Sequence, residues 1–126
     1  MTRIRLLLAG ALVALVLPAT ALAAQTDRWQ KQSGKVRISM TRVVGKTAVR
    51  AVVKYDCDVD GSSTTLTEEL RGKSKGRRIH LENAGVELEG TLGPTFKGTY
   101  EIDDESAGCT IDETAVKIKR TRVTGG

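Results

Sequence analysis

Three stretches of this 126-residue chain carry residue types that do chemistry, at spacings that bring them together. Asp56-Cys57-Asp58-Val59-Asp60-Gly61 reproduces the opening of a calcium loop, where carboxylates at alternate positions converge on one ion and glycine permits the sharp bend. Such a loop needs a bidentate glutamate at its twelfth position. That position is Thr67, and Glu68 comes one residue late. In an extended strand the three aspartates instead line the solvent face, Cys57 and Val59 point inward, and Asp60-Gly61 is a hairpin turn. Calcium at Asp56, Asp58 and Asp60 is the one cofactor the sequence suggests, and the hairpin is the simpler account of the same residues.

Gly72-Lys73-Ser74-Lys75-Gly76 matches G-x-S-x-G, the nucleophile elbow of α/β-hydrolases. The elbow requires a strand entering a helix in a parallel-sheet domain, and a histidine oriented by an acid. Here the serine lies in a basic hairpin loop, and the only histidine, His80, alternates with Arg78 and Glu82 on a solvent face. No catalytic residue is assigned, and the expectation is a protein that is not an enzyme. The same loop has a stronger electrostatic signature. Arg71, Lys73, Lys75, Arg77 and Arg78 place five cations within eight residues, suited to an anionic protein, glycan or lipid surface. Such a run also serves as a solvated tip whose repulsion prevents aggregation. It contains no aromatic residue for base stacking, so a nucleic-acid partner is not expected.

The elements that position these residues begin with the export signal. Arg3 and Arg5 precede an apolar run from Leu6 to Leu17, Pro18 breaks it, and Ala21-Leu22-Ala23 offers a cleavage site before Ala24. A positive region, a core too short for a permanent membrane anchor and a small-residue exit are what a signal peptidase reads. Residues 1–23 are therefore expected to be a signal peptide and 24–126 a single exported domain, periplasmic or extracellular. Loss of Arg3 and Arg5 lowers the formal charge from +5 to +3. Two cysteines in an oxidising compartment favour a Cys57–Cys109 disulfide over a metal site or reactive thiol.

From Lys35 onward apolar and polar residues alternate with period two, which predicts an all-β fold. A two-residue turn at Gly45-Lys46, read as type II′, sets Met40 opposite Ala51, Ile38 opposite Val53 and Val36 opposite Tyr55. A type I′ turn at Asp60-Gly61 pairs Tyr55 with Leu66 and Ala51 with Leu70 on that same face. A three-residue loop at Gly93-Pro94-Thr95 pairs Leu88 with Tyr100 and Val86 with Ile102, and a turn at Ser33-Gly34 places Trp29 opposite Ile38. The total is about eight strands by the hairpin criteria. The expected architecture is a small antiparallel up-and-down meander, closed into a barrel with first and last strands paired, or else a two-sheet β-sandwich. Charged residues at the outward positions, among them Arg37, Lys54, Glu87 and Lys117, are incompatible with a lipid-facing wall. No transmembrane span is expected in the mature chain.

The meander, a tryptophan ahead of the main strands and one disulfide resemble small calycin-type barrels and exported protein inhibitors in general layout. The G-x-W opening of lipocalins is absent, since Asp27-Arg28 precedes Trp29, and the tryptophan-lined pocket of biotin binders is absent, since Trp29 stands alone. No family function follows from that layout. Gly90 opposite Gly98, with Glu68 and Arg120 interrupting apolar faces, marks a candidate interior cavity with a polar handle; glycines that merely bend the wall and charges at open ends explain the same pattern. The functional expectation is an exported, non-catalytic binding or interaction module whose basic loop meets an anionic partner. The alternatives are a small-ligand barrel, an envelope enzyme and a purely structural secreted domain. Strand direction adds that successive turns alternate between ends, so one end of the domain is basic and the other acidic.

Overall fold

The computed structural model describes residues 24–124; the segment 1–23, expected from the sequence to be a signal peptide, lies outside the described residues. Eight strands follow one another: β1 (Gln25–Ser33), β2 (Val36–Val43), β3 (Ala48–Val59), β4 (Ser62–Lys73), β5 (Arg78–Asn83), β6 (Val86–Thr91), β7 (Thr95–Asp104) and β8 (Cys109–Thr124). All are antiparallel, and among the described residues there is no helix. The spatial order β4-β3-β2-β1-β8-β7-β6-β5 is one sheet rolled into a nearly closed barrel, not a two-sheet sandwich. First and last strands pair, with Trp29 opposite Arg120. The remaining seam lies between β4 and β5, joined at the turn by reciprocal backbone bonds between Lys75 and Arg78 (2.9 and 3.1 Å).

Alternation of apolar and polar residues fixes the register, because a one-residue slip would turn every core side chain to water. Met40↔Ala51, Ile38↔Val53 and Val36↔Tyr55 pair as the pattern requires, and so do Tyr55↔Leu66 and Ala51↔Leu70. The turn between β2 and β3 differs in type: Lys46 N–H donates to Val43 O (3.0 Å), making Val44 and Gly45 the central residues without changing the register. Asp60 and Gly61 have φ of 51° and 80°, the left-handed pair of a type I′ turn. The first hairpin is a correction. Its turn is Gly34-Lys35, so Trp29 faces Met40 and not Ile38, and Lys31 takes the place opposite Ile38. Moving the turn by one residue shifts every pair by two while preserving which face each residue occupies, so face patterning alone could not distinguish the two registers.

A bulge decides the fate of the second cysteine. On β8, Val116 and Ile118 point into the core, and strict alternation would send Cys109 outward. The register changes between Tyr100↔Thr114 and Ile102↔Ile111, so Asp112 and Glu113 together oppose Glu101. That extra residue reverses the phase, bringing Ile111 and Cys109 against the core. Cys109 is bonded to Cys57 with their Cα atoms 5.7 Å apart, tying the β3–β4 hairpin to the β7–β8 hairpin.

The interior is filled by side chains. Trp29, Tyr55, Phe96, Ile38, Met40, Leu70, Leu81 and Leu88 are almost completely buried. Gly90 and Gly98 are directly opposed, and a Cβ at either would run into the neighbouring backbone and the Phe96 ring. The glycine pair thus makes room for Phe96. Gly72 does the same for Leu81, whose Cδ2 would lie 2.6 Å from a Cβ there, so β4 and β5 meet through a side chain instead of a ladder.

Candidate functional site

Turns alternate between the two ends of a meander, and here that separates the charges. The end carrying the β2–β3, β4–β5 and β6–β7 turns holds Lys46, Lys73, Lys75, Arg77 and Arg78, all exposed. The other end carries the acidic turns, Asp58 and Asp60 on the β3–β4 hairpin, Glu82 and Glu87 flanking the β5–β6 turn, and Asp103, Asp104 and Glu105 at the β7–β8 turn, together with the β1–β2 turn, where Lys35, Arg37 and Lys54 are the cations of that end.

The basic segment is more ordered than a loose tip. Arg71 and Lys73 lie on β4, Arg78 opens β5, and only Ser74 to Arg77 lies outside the strands. Ser74 is buried, its N–H donating to Thr47 O (2.8 Å), which anchors the turn to the β2–β3 connection. Arg71 is separate from its neighbours electrically. Its Nε is bonded to Glu69, which also accepts from Arg50 Nε at 2.9 Å, and these two guanidiniums hold the Glu69 carboxyl below its usual range. Among the described residues, Lys73, Lys75, Arg77 and Arg78 are the cations of the run with no carboxylate in contact. Arg77 and Lys97 flank a shallow depression of about 340 Å³ floored by Leu92, Gly93 and Pro94, large enough for a sulfate or phosphate group.

Beneath this end lies a charge cluster that the sequence reading missed. Asp27, 1% exposed, points into the barrel mouth. Arg122 Nε donates to its Oδ1 at 2.8 Å and a second guanidinium nitrogen to Oδ2 at 3.4 Å. Arg42 approaches to 3.7 Å and Arg120 to 4.0 Å. The hydrogen bond from Arg122, assisted by the charges of Arg122, Arg120 and Arg42, outweighs burial and holds the Asp27 carboxyl below its usual range. Arg42 also lies over the Trp29 ring, 5.9 Å from its centre, while Trp29 Nε1 donates to Gly93 O (3.0 Å). The mouth is a plug: one carboxylate gathers three arginines from β2 and β8 over the tryptophan. The only signal for it in the sequence is that Asp27 and Trp29 share a strand face with Arg42 and Arg120.

The other sequence-derived candidates do not assemble. Glu68, opposite Val53, is half-buried on β4, whereas Arg120 belongs to the Asp27 cluster at the barrel mouth, and Gly90 and Gly98 are packed against Phe96, so the four do not line one cavity. Asp56 and Asp58 project from β3 into solvent, and Asp56 Oδ1 accepts from Thr65 Oγ1 at 2.7 Å. Asp56, Asp58 and Asp60 are not among the groups of described residues whose ligand atoms lie within 4.8 Å of one another, as a calcium loop would require. Ser74 and His80 have different surroundings: Ser74 is buried, and His80 is exposed beside Glu87 (3.5 Å) and Glu82 (3.7 Å). His80, Glu87 and Glu89 form the one group of potential metal ligands within 4.8 Å of one another among the described residues. Sequence reasoning passed over it because the contact is across strands, His80 facing Glu89.

At the acidic end, Asp104 accepts hydrogen bonds from Ser106 Oγ (2.8 Å), Tyr55 Oη (2.8 Å) and the Ala107 N–H (3.2 Å). The Ser106 bond leads in holding its carboxyl low. Burial, reinforced by the bond to Asp104, pushes the Tyr55 hydroxyl well above its usual pKa. This arrangement fastens the β7–β8 turn to β3 beside the disulfide.

Comparisons with protein-family models, curated proteins and solved structures find no match.

Proposed function

We propose that this protein is an exported, non-catalytic binding module whose basic end meets an anionic partner, such as a sulfated glycan, an acidic protein face or an anionic lipid surface. The observation that carries this reading is the exposed group Lys73, Lys75, Arg77 and Arg78, which shares its end with Lys46 and Lys97 while the acidic turns face the opposite way. A field of one sign over an ordered surface raises the encounter rate with an oppositely charged partner, and salt weakens it within a Debye length of about 8 Å at physiological ionic strength. Export is supported by the signal-like segment and by the disulfide, which suits an oxidising compartment. Among the described residues no helix is long and apolar enough to cross a membrane.

The filled interior favours this surface reading over a small-ligand barrel. Binding to heparin and to vesicles containing anionic lipid tests it, using Lys73→Gln, Lys75→Gln, Arg77→Gln and Arg78→Gln together. Arg71 is left in place so that Glu69 keeps its partner. The native protein should be retained at low salt and released as salt rises, and the variant should pass through. Equal retention of both proteins would overturn the reading.

A further inference from the structure

The barrel is open along the lower half of β4, and that edge has the chemistry of a strand-docking site. β4 has twelve residues and β5 six, so Ser62 to Glu68 extend beyond the point where β5 ends at Asn83. The type I′ turn at Asp60-Gly61 makes Val59↔Ser62 the closing pair of the hairpin, with its backbone groups directed at each other. Backbone direction alternates along a strand. Ser62, Thr64, Leu66 and Glu68 therefore face β3, while Ser63, Thr65, Thr67 and Glu69 turn their N–H and C=O groups toward the seam. One observation fixes this phase independently: Glu69 O accepts a hydrogen bond from Asn83 Nδ2 (2.9 Å), reaching across from the end of β5. Below that bridge, Ser63, Thr65 and Thr67 present three donors and three acceptors with no strand beside them among the described residues.

Exposed edges are ordinarily blunted by lysine, proline, a bulge or an inward charge. The run Ser62-Ser63-Thr64-Thr65-Leu66-Thr67 has no charged residue and no proline, and its pairing with β3 is regular throughout. The surroundings, by contrast, are charged. Asp56 and Asp58 project beside Thr65 and Ser63, and Glu68 interrupts the inner face; Lys54, beside Thr67, is the nearest cation, with Lys35 and Arg37 one strand farther from the edge. An antiparallel second copy matched Thr65 to Thr65 would carry its Asp60-Gly61 tip up to Glu69, where Asn83 already sits. A single extended segment meets no such obstacle.

We propose that the β4 edge binds an extended, cationic polypeptide segment of a partner protein, which adds as a strand along Ser63–Thr67. Backbone pairing supplies the attachment, and the carboxylates nearest the free edge, Asp56, Asp58 and Glu68, select for lysine or arginine. This site lies on the side of the barrel toward the acidic end and is independent of the anion-binding reading.

The test uses the folded, disulfide-bonded protein and three fluorescent seven-residue probes: a lysine–valine alternating peptide, its glutamate–valine counterpart, and the lysine peptide with alternate amides N-methylated. Anisotropy should show the lysine peptide binding at least about tenfold more tightly than either control, with amide-exchange protection appearing at Ser63, Thr65 and Thr67. Thr65→Pro, which removes an edge donor that no strand uses, should abolish binding. Thr65→Lys should weaken it while leaving the circular dichroism melt unchanged, which separates lost docking from lost folding. Equal binding of the N-methylated peptide, or protection elsewhere on the barrel, would overturn the proposal. Equal binding of the glutamate peptide would remove the cationic partner, and concentration-dependent dimerisation that Thr65→Pro abolishes would replace it with a second copy.

Discussion

Replacing Asp27 with asparagine removes one negative charge and leaves three guanidiniums around the buried Trp29. The carboxylate is 1% exposed, whereas the Arg42, Arg120 and Arg122 side chains keep 20%, 28% and 42% of their surface in contact with solvent. Breaking a buried pair from one side typically costs 3–5 kcal/mol, roughly, through the uncompensated charge left behind. The arginines can swing toward water, so the expected loss is about 3 kcal/mol at pH 7, the lower end of that range, and the melting temperature should fall by roughly 15 °C for a domain of this size. The pH dependence is more diagnostic than the magnitude. Asp27 has a folded-state pKa below its ordinary value of 3.8. Its contribution is therefore fully present above pH 3.8, and it disappears as pH falls through the lower folded-state value, because the protonated acid is as neutral as asparagine. Urea unfolding of both proteins at pH 7 and at a series of values below pH 3.8, followed by Trp29 fluorescence, should give curves that differ widely at pH 7 and draw together as the pH falls. A deficit below about 1 kcal/mol at pH 7, or one that does not shrink in acid, would refute the role assigned to this cluster.

The Cys57–Cys109 bond closes a separation of 52 residues, so replacing both cysteines with alanine should lower stability by about 4 kcal/mol in the chain-entropy model, measured by denaturant unfolding. Thiol labelling of the folded protein should find no free cysteine before reduction. Gly98→Ala should cost about 2–3 kcal/mol, since the added methyl meets both the β6 backbone and the Phe96 ring; an unchanged unfolding midpoint would show that this contact is not tight. Trp29→Phe should lower stability by about 2–3 kcal/mol, through the lost bond to Gly93 O and the cavity left in a filled core, as measured by thermal unfolding under circular dichroism.

Strand identity and most of the register were legible because a half-buried sheet alternates with period two, so two turns that agree on one apolar face leave little freedom. Val36, Ile38 and Met40 against Tyr55, Val53 and Ala51 are the clearest case. The first hairpin failed because its two candidate registers bury the same residues. The inward position of Cys109 was hidden by a bulge that depends on β7 and β8 together, since no residue in Thr110 to Thr114 announces where the extra one falls. The seam was equally hidden: it follows from the unequal lengths of β4 and β5 and from Leu81 packing over Gly72, both consequences of closure. Of the candidate site, the basic run and its separation from the acidic turns could be derived from alternation of strand direction. The removal of Arg71 by Glu69, the order imposed by Ser74 and the Asp27 cluster required side-chain positions, which only the closed barrel brings together.

Anion binding should depend on where the cations sit and not on how many there are. Two triple variants of equal net charge separate these possibilities: Lys75→Gln, Arg77→Gln and Arg78→Gln at the basic end, and Lys35→Gln, Arg37→Gln and Lys54→Gln toward the acidic end. Affinity for a heparin oligosaccharide, titrated at several salt concentrations, is the measurement. The first variant should bind about tenfold more weakly or worse, with a shallower salt dependence, and the second should bind nearly as the native protein does. Equal losses in the two variants would mean that net charge alone governs binding, and would contradict the assignment of the basic end as the site.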